Sequence, residues 1–369
     1  MRILVELGHP AQVHTMKHSI EGLIERGHKI KIAIREREDM VGNLLDTYGY
    51  NYDNLRPASK GMLNKFINIF RNDSALSKIC KRFKPDIFFG PASVYSSHVS
   101  SLRRKEYVCY GDSEAIGSMK IQYLLFKPFI NCIITPEKFR TELGKKQVRV
   151  KSYKELAYLH PNRFKPDDSV YKELGLKKGE RYVLLRFGSF DASHDIGKTG
   201  FSMADKEKLL KELKKHTKVF ISSEEPLKGK FKKYRLPTRI ERMHHVIHFA
   251  SLLVGDTQTS TTEAACLGTP AIRSNKWVGP NDMSNFIELE KDFGLIFNFQ
   301  NPKKVRRKAV ELIEDRDLGE KWQKKRKKLL QRKIDLTSFF IWFIENYPKS
   351  KKIMKKNPNY QDKFKGVLK

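Results

Sequence analysis

The sequence predicts an α/β chain built as two tandem, doubly wound domains, each around a parallel sheet. Three observations predict it. Short apolar runs alternate with helix-period segments through both halves of the 369 residues. An aperiodic stretch with two prolines, residues 159–168, separates the halves. Residues 251–272, SLLVGDTQTSTTEAACLGTPAI, read as strand, tight polar loop, helix, glycine stop and strand.

The first half opens with a strand at 3–7 and a helix over 10–26 that stops at Gly27. A strand at 29–34 and a helix over 36–48, closed by Gly49, follow, and then a third strand at 50–55. Residues 62–83 have helical spacing, and Pro85 precedes the apolar strand 87–89. A helix over 93–102, a strand at 107–110, a helix over 115–126 and a strand at 132–134 complete the half. The second half restarts with a strand at 182–187, a helix over 203–216 and a strand at 219–221. A short helix over 243–250 leads into the 251–272 segment, and helices are expected over 281–291, 302–314 and 318–332. An aromatic helix over 336–347 closes the chain. The domain boundaries read as 1–160, 161–345 and a basic, flexible tail over 346–369.

Net charge is +31, from 73 basic and 42 acidic residues. Nucleic acid, an anionic membrane surface or pyrophosphate-linked lipid, and a general lysine bias all fit that number. The basic residues form no single stripe interleaved with aromatics, so nucleic acid is the least favoured partner. Cys80, Cys109, Cys132 and Cys266 are far apart and read as buried thiols of a reducing compartment. The opening MRILVELGHP reads as a strand, and no stretch reaches membrane-spanning length. These features give a cytoplasmic protein, with peripheral contact at the inner face of the cell membrane kept open.

A polar loop that opens a helix at the carboxyl end of a parallel strand is where open α/β sheets bind phosphorylated ligands. In 251–272 that places Thr259, Ser260 and Thr261 at the helix start and Glu263 in the first turn. An ordinary turn with a capping box, Ser260-x-x-Glu263, fits the same residues equally well. His9, in Gly8-His9-Pro10 after the first strand, is a candidate base or anion ligand. His14 and His18 share a helix face, but no carboxylate or third ligand accompanies them, so no metal is expected. Arg186 and Ser189 follow the first strand of the second half and suit a pyrophosphate; an interdomain salt bridge fits Arg186 as well. His244 and His248 are spaced i, i+4 without the glutamate of a zinc protease, so a helix beside a nucleotide base is expected there. Asn281 or Asp282 is expected to cap the helix that follows. There is no phosphate-loop, dinucleotide or nucleophile-elbow motif.

Taken together, Gly8 to His14, Met243-His244-His245, Gly255 to Thr259, Thr262 to Ala265, Leu267 to Ala271 and Asn281 to Asn285 resemble the glycosyltransferase-B superfamily. The resemblance is to a prokaryotic family of unknown function related to UDP-N-acetylglucosamine 2-epimerases and lipid-carrier N-acetylglucosaminyltransferases, and it spans roughly residues 1 to 345. It implies two Rossmann-like domains, an acceptor-side first and a nucleotide-sugar-binding second, with an interdomain cleft and a C-terminal closing helix. It implies a UDP-sugar as substrate, with no cofactor required, and a lipid-linked or cell-surface glycan acceptor. Glu263 would bind the ribose, the Thr259, Ser260 and Thr261 backbone the pyrophosphate, Arg186 and Ser189 the phosphates, and His245 would stand beside the base. His9, Asp112 and Glu114 would be the catalytic groups. Epimerisation of the UDP-sugar is the alternative reaction, and nucleic-acid binding without catalysis the alternative from another class.

Overall fold

The computed structural model describes residues 1–35, 40–55, 62–115, 119–188 and 201–366, with residues 62–67 described by backbone alone. The chain divides into two units: Met1–Arg163 together with Lys333 onward, and Phe164–Arg332.

The first unit holds β1 (Arg2–Leu7), β2 (Lys29–Arg35), β3 (Tyr52–Leu55), β4 (Ile87–Pro91), β5 (Glu106–Tyr110), β6 (Cys132–Pro136) and β7 (Gln147–Val150). They form one seven-stranded parallel sheet in the order β3-β2-β1-β4-β5-β6-β7. Helices cover both faces of such a sheet, so its central strands are continuous apolar runs, as in the buried Ile87-Phe88-Phe89 of β4. The strand order reverses between β1 and β4, which makes their carboxyl ends the switch point of this sheet.

The second unit holds β8 (Tyr182–Phe187), β9 (Lys218–Ser223), β10 (Leu252–Gly255), β11 (Ala271–Arg273) and β12 (Ile296–Asn298). They make a five-stranded parallel sheet, β12-β11-β10-β8-β9, with its switch point between β8 and β10. β7 and β12 stand where the sequence reading has no strand. Each is a short edge strand, of 4 and 3 residues, too brief to show a period.

The chain's end departs from the expected domain plan. The aromatic helix Leu336–Glu345 belongs to the first unit, not the second. Asp335 caps it by accepting from the Ser338 N–H at 3.1 Å, and the same carboxylate pairs with Arg163 at 3.0 Å. Phe340 is fully buried, with its ring edge-on to Phe89 and Tyr110 at 5.4 Å each. Ile341 packs where a side chain on Gly22 would sit, so the first helix, Pro10–Glu25, admits this helix closely.

The basic tail is ordered structure. Lys349–Lys356 is a helix with Met354 buried, and Pro358–Phe364 is a 3₁₀ helix. Gln361 accepts from the Lys151 N–H at 2.7 Å beside the β7 edge, and Tyr360 packs on Trp342 at 4.9 Å. Lysine content suggested a frayed end; the buried Met354 and Gln361 hold it instead.

In the second unit the helix Met243–Phe249 packs beside β10. His248 lies near the Phe164 ring at 6.3 Å, with a buried Nδ1 that has no hydrogen-bond partner. Burial, then the charge of Arg326, push its imidazole down to about 4. All four cysteines are buried and unbridged.

Two outcomes follow. Phe340→Ala empties a ring-lined site and is expected to cost about 3–5 kcal/mol, measured as a shift of the first unit's urea midpoint. His248 has a folded value below its unfolded 6.5, so its contribution is present above pH 6.5 and lost as pH falls toward 4. Between pH 7 and pH 4, wild type should lose on the order of 2–3 kcal/mol more than His248→Gln in parallel denaturant melts.

Candidate functional site

In the second unit, three loops meet at the carboxyl edge of the sheet. Gly255 ends β10 where a Cβ would collide with the Arg186 carbonyl oxygen, so β8 and β10 approach as only glycine allows. Asp256 then accepts from the Gly188 N–H at 2.8 Å, tying the loop after β10 to the end of β8. Burial pushes its carboxyl above the usual range, against the lowering by that N–H and by Lys206. Asn275 donates to the Asp256 carbonyl at 3.0 Å and brings in the loop after β11.

The helix Gln258–Leu267 starts at this junction. Its N-cap is Thr257, whose side chain makes no cap bond and whose buried Oγ1 has no partner. No acidic residue stands in its first turn. Among the described residues, the first-turn N–H groups therefore have neither an intrahelical acceptor nor an N-cap side-chain bond, and no first-turn acid meets the positive end of the dipole. Thr259 is half-buried, whereas Ser260 and Thr261 are buried, and the Thr261 hydroxyl donates to the Thr257 carbonyl at 2.8 Å. Of these three residues, Thr259 and Ser260 sit in the first turn; Thr261 follows it.

This corrects two expectations. There is no Ser260–Glu263 capping box, because the helix begins three residues earlier than that motif requires. Glu263 is accordingly in the second turn, buried, and its Oε1 lies 3.0 Å from His244 Nε2. His245, the histidine expected beside a base, is turned elsewhere. Its Nδ1 accepts from the Asp167 N–H at 3.0 Å, and its ring packs on Phe164 at 4.8 Å. The neighbouring His244 is the one that reaches Glu263.

Arg186 stays within its own unit. It pairs with Glu224 at 3.2 Å, at the end of the adjacent β9. Its Nε is buried without a partner. Ser189 and the 191–195 segment lie outside the described residues. Asp282 does not cap a helix: the N-cap of Ser284–Lys291 is Met283. Asp282 instead pairs with Arg273, which is fully buried, stacks over Phe286 at 3.5 Å and bonds Asn298 at 2.9 Å. Burial holds Arg273 below its ordinary value and Asp282 opposes this. The pair anchors the loop after β11.

In the first unit the corresponding helix N-terminus is already filled. Glu6, near the end of β1, is buried against the start of the helix Val94–Leu102. Its Oε2 accepts from Ser93 Oγ at 2.5 Å, Ser96 Oγ at 2.6 Å and the Ser96 N–H at 3.2 Å. Its Oε1 lies 2.7 Å from Arg35 Nε. Arg35 packs against Gly8, where any side chain would strike its guanidinium.

His9 caps the helix Pro10–Glu25, its Nδ1 accepting from the Ala11 N–H at 3.1 Å. Burial and the charge of Lys154 hold its imidazole below the ordinary value, with Asp112 opposing. In the neutral ring that bond leaves the proton on Nε2, so the exposed nitrogen is a donor. Asp112 is held by Lys154 Nζ at 2.6 Å from Oδ2. Glu114 is buried and holds Arg140, accepting from its N–H at 2.8 Å and its Nε at 3.3 Å. It fixes the loop after β6. His9 and Asp112 come together; Glu114 does not join them. Among the described residues, no group of three His, Cys, Asp or Glu side chains could hold a metal ion.

Sequence reasoning missed Glu6, Asp256, Arg273 and Lys154. The only signal for Glu6 and Arg273 is a charge inside an apolar strand; Asp256 and Lys154 carry none.

Solved structures share this architecture at low identity. One is a Staphylococcus aureus MnaA–UDP co-structure: 11% identity, 95% of this chain and 97% of that chain, TM-score 0.65. Another is UDP-GlcNAc 2-epimerase from Neisseria meningitidis bound to UDP-GlcNAc: 13% identity, 94% and 100%, TM-score 0.65. A third is the glycosyltransferase SsfS6 from Streptomyces sp. SF2575 complexed with thymidine diphosphate: 14%, 92% and 99%, TM-score 0.61. The likeness shows the fold alone, two Rossmann-like α/β units. No curated protein matches the chain. The model of one family, described as protein of unknown function (DUF354), matches residues 1–330, and the chain belongs to that family.

Proposed function

We propose that the chain is a glycosyltransferase-like enzyme that takes a nucleotide-sugar donor, a UDP-sugar in the first instance, on its second unit. The observation that carries this reading is the contrast between the two switch points. The first unit's helix N-terminus holds the chain's own Glu6 carboxylate. The second unit's has no cap and no acidic residue in its first turn. A diphosphate suits the second and is excluded from the first. The Thr259 and Ser260 N–H groups meet the diphosphate, with Arg186 beside it. Glu263, oriented by His244, accepts from ribose hydroxyls.

On the first unit, Asp112 takes the proton of an acceptor hydroxyl. Lys154 holds Oδ2, and the proton goes to Oδ1. His9 is a hydrogen-bond donor and not the base, because its cap bond consumes the only lone pair of the neutral ring. The departing diphosphate is stabilised by the helix dipole and Arg186, which asks for no metal. A lipid-linked or cell-surface glycan is the acceptor class this reading retains.

Epimerisation is the second reading, favoured by the solved neighbours that carry UDP and UDP-GlcNAc. Buried Glu114, committed to Arg140, weighs against it, since Asp112 is then left as the one carboxylate of the two able to move a proton.

UDP should raise the melting temperature, and Glu263→Gln should weaken UDP binding about tenfold or more by calorimetry. Silence toward every nucleoside diphosphate would defeat the donor site, and salt-dependent RNA or DNA binding in its place would favour the nucleic-acid reading. Conversion of UDP-N-acetylglucosamine to its manno epimer without an acceptor would replace transfer by epimerisation.

Asp112→Asn should cut transfer on the order of a hundredfold while UDP affinity stays within about twofold. Nitrogen-15 NMR should find His9 neutral at pH 7 with its proton on Nε2. A proton on Nδ1 would restore His9 as the base.

A further inference from the structure

One corner of the first unit is apolar on a side left exposed among the described residues. The helix Met119–Phe126 buries Tyr123 and Phe126, whose rings lie 4.8 Å apart, in the core. Its opposite side carries Ile121 and Leu124, 63% and 75% exposed, and Phe129 follows at 42%. A helix apolar on both sides belongs in a buried setting, and this one has cover on one side only.

The corner is braced. The Phe129 ring stands edge-on to His98 at 5.1 Å. His98 lies 2.9 Å from Asp73 by Nδ1 and 3.1 Å from the Leu125 carbonyl by Nε2. The apolar side chains are therefore presented by fixed backbone.

Cations surround them. Lys120 and Lys127 bracket the helix and are exposed. Lys146 donates to the carbonyls of Lys127 and Pro128 at 2.9 and 2.7 Å. Lys351, from the C-terminal helix, donates to the Asn131 carbonyl at 2.7 Å. Burial, then the charges of Lys351 and Lys127, hold Lys146 below the usual lysine range. None of these four lysines has a carboxylate partner among the described residues. Lys349, Lys352, Lys355 and Lys356 add exposed charge on that same C-terminal helix.

We propose that this corner, Ile121, Leu124 and Phe129 with Lys120, Lys127, Lys146 and Lys351, docks on an anionic phospholipid surface. The apolar side chains enter the headgroup boundary and the ammonium groups meet lipid phosphates. Exposed apolar residues flanked by lysines that have no carboxylate partner among the described residues fit a plane of negative charge. It does not fit a second copy of so basic a chain, which would set lysine against lysine. The inference stands independently of the donor reading above.

Co-sedimentation with phosphatidylcholine vesicles, with and without about 30% phosphatidylglycerol, at about 150 mM salt tests it. Binding is expected to the anionic vesicles alone. Ile121→Ser/Leu124→Ser and Lys120→Gln/Lys127→Gln should each reduce it about tenfold. Lys208→Gln/Lys211→Gln, which removes equal charge from the second unit, should leave it within about twofold. Leu124→Trp should shift its emission to the blue on binding and be quenched by brominated lipid chains. Absence of vesicle binding would overturn the proposal, as would equal losses from the two lysine pairs. So would a serine variant that keeps its vesicle binding but turns a dimer into a monomer by light scattering.

Discussion

Every helix that starts at the carboxyl edge of a parallel sheet brings several N–H groups that its own turn cannot satisfy, and this constraint organises both units. In the first, Glu6 supplies the answer. A buried carboxylate is tolerable only when paired and hydrogen-bonded, and Glu6 has Arg35 on one oxygen and Ser93 and Ser96 on the other. Much follows from that placement. Arg35 is drawn across the end of β1, position 8 must lack a side chain, and His9 is left to begin the first helix. The geometry of the His9 loop is thus a consequence of how a helix one crossover away is capped.

The second unit meets the same constraint and leaves it open. Thr257 holds the cap position without using its hydroxyl, and Asp256 spends its own carboxylate on Gly188 and not on the helix. The surrounding loops are nevertheless fixed, by Gly255 against Arg186, by Asn275 on Asp256 and by the Arg273–Asp282 pair. A rigid rim around unsatisfied donors is preorganised for an anion, since binding then orders little protein. A helix merely awaiting solvent would not need a fully buried Arg273 to hold the loop beside it.

The fold was largely legible, because parallel strands covered on both faces leave unmistakable apolar runs and helices leave a period. Edge strands β7 and β12 were not, being too short to show either. At the candidate site the local structure was misread in detail. The polar run 257–262 marks a helix start, but Thr257 and Ser260 are both good cap residues, and only the backbone decides between them. Once the start moves to Gln258, Glu263 falls in the second turn and meets His244, so the wrong one of two adjacent histidines had been chosen. Glu114 misled because sequence cannot show that Arg140 covers it. Glu6 and Arg273 were invisible because their partners, Ser93 and Asp282, lie across strand crossovers or loops. The tail misled by composition: eight lysines surround the side chains that dock it.

The net charge of +31 says less than its distribution. On the second unit many basic residues stand in exposed local pairs, such as Lys215 with Glu212, Lys308 with Glu311 and Lys324 with Glu320. Such pairs contribute little to stability and largely cancel beyond a Debye length. Lys127, Lys146 and Lys351 are arranged differently: they are near enough to depress Lys146, and their neighbours are backbone carbonyls. Keeping like charges together opposes folding, and a uniform lysine bias has no reason to gather them around exposed Leu124 and Phe129. Compositional bias accounts for the total; it does not account for lysines without carboxylate partners gathered around exposed apolar side chains.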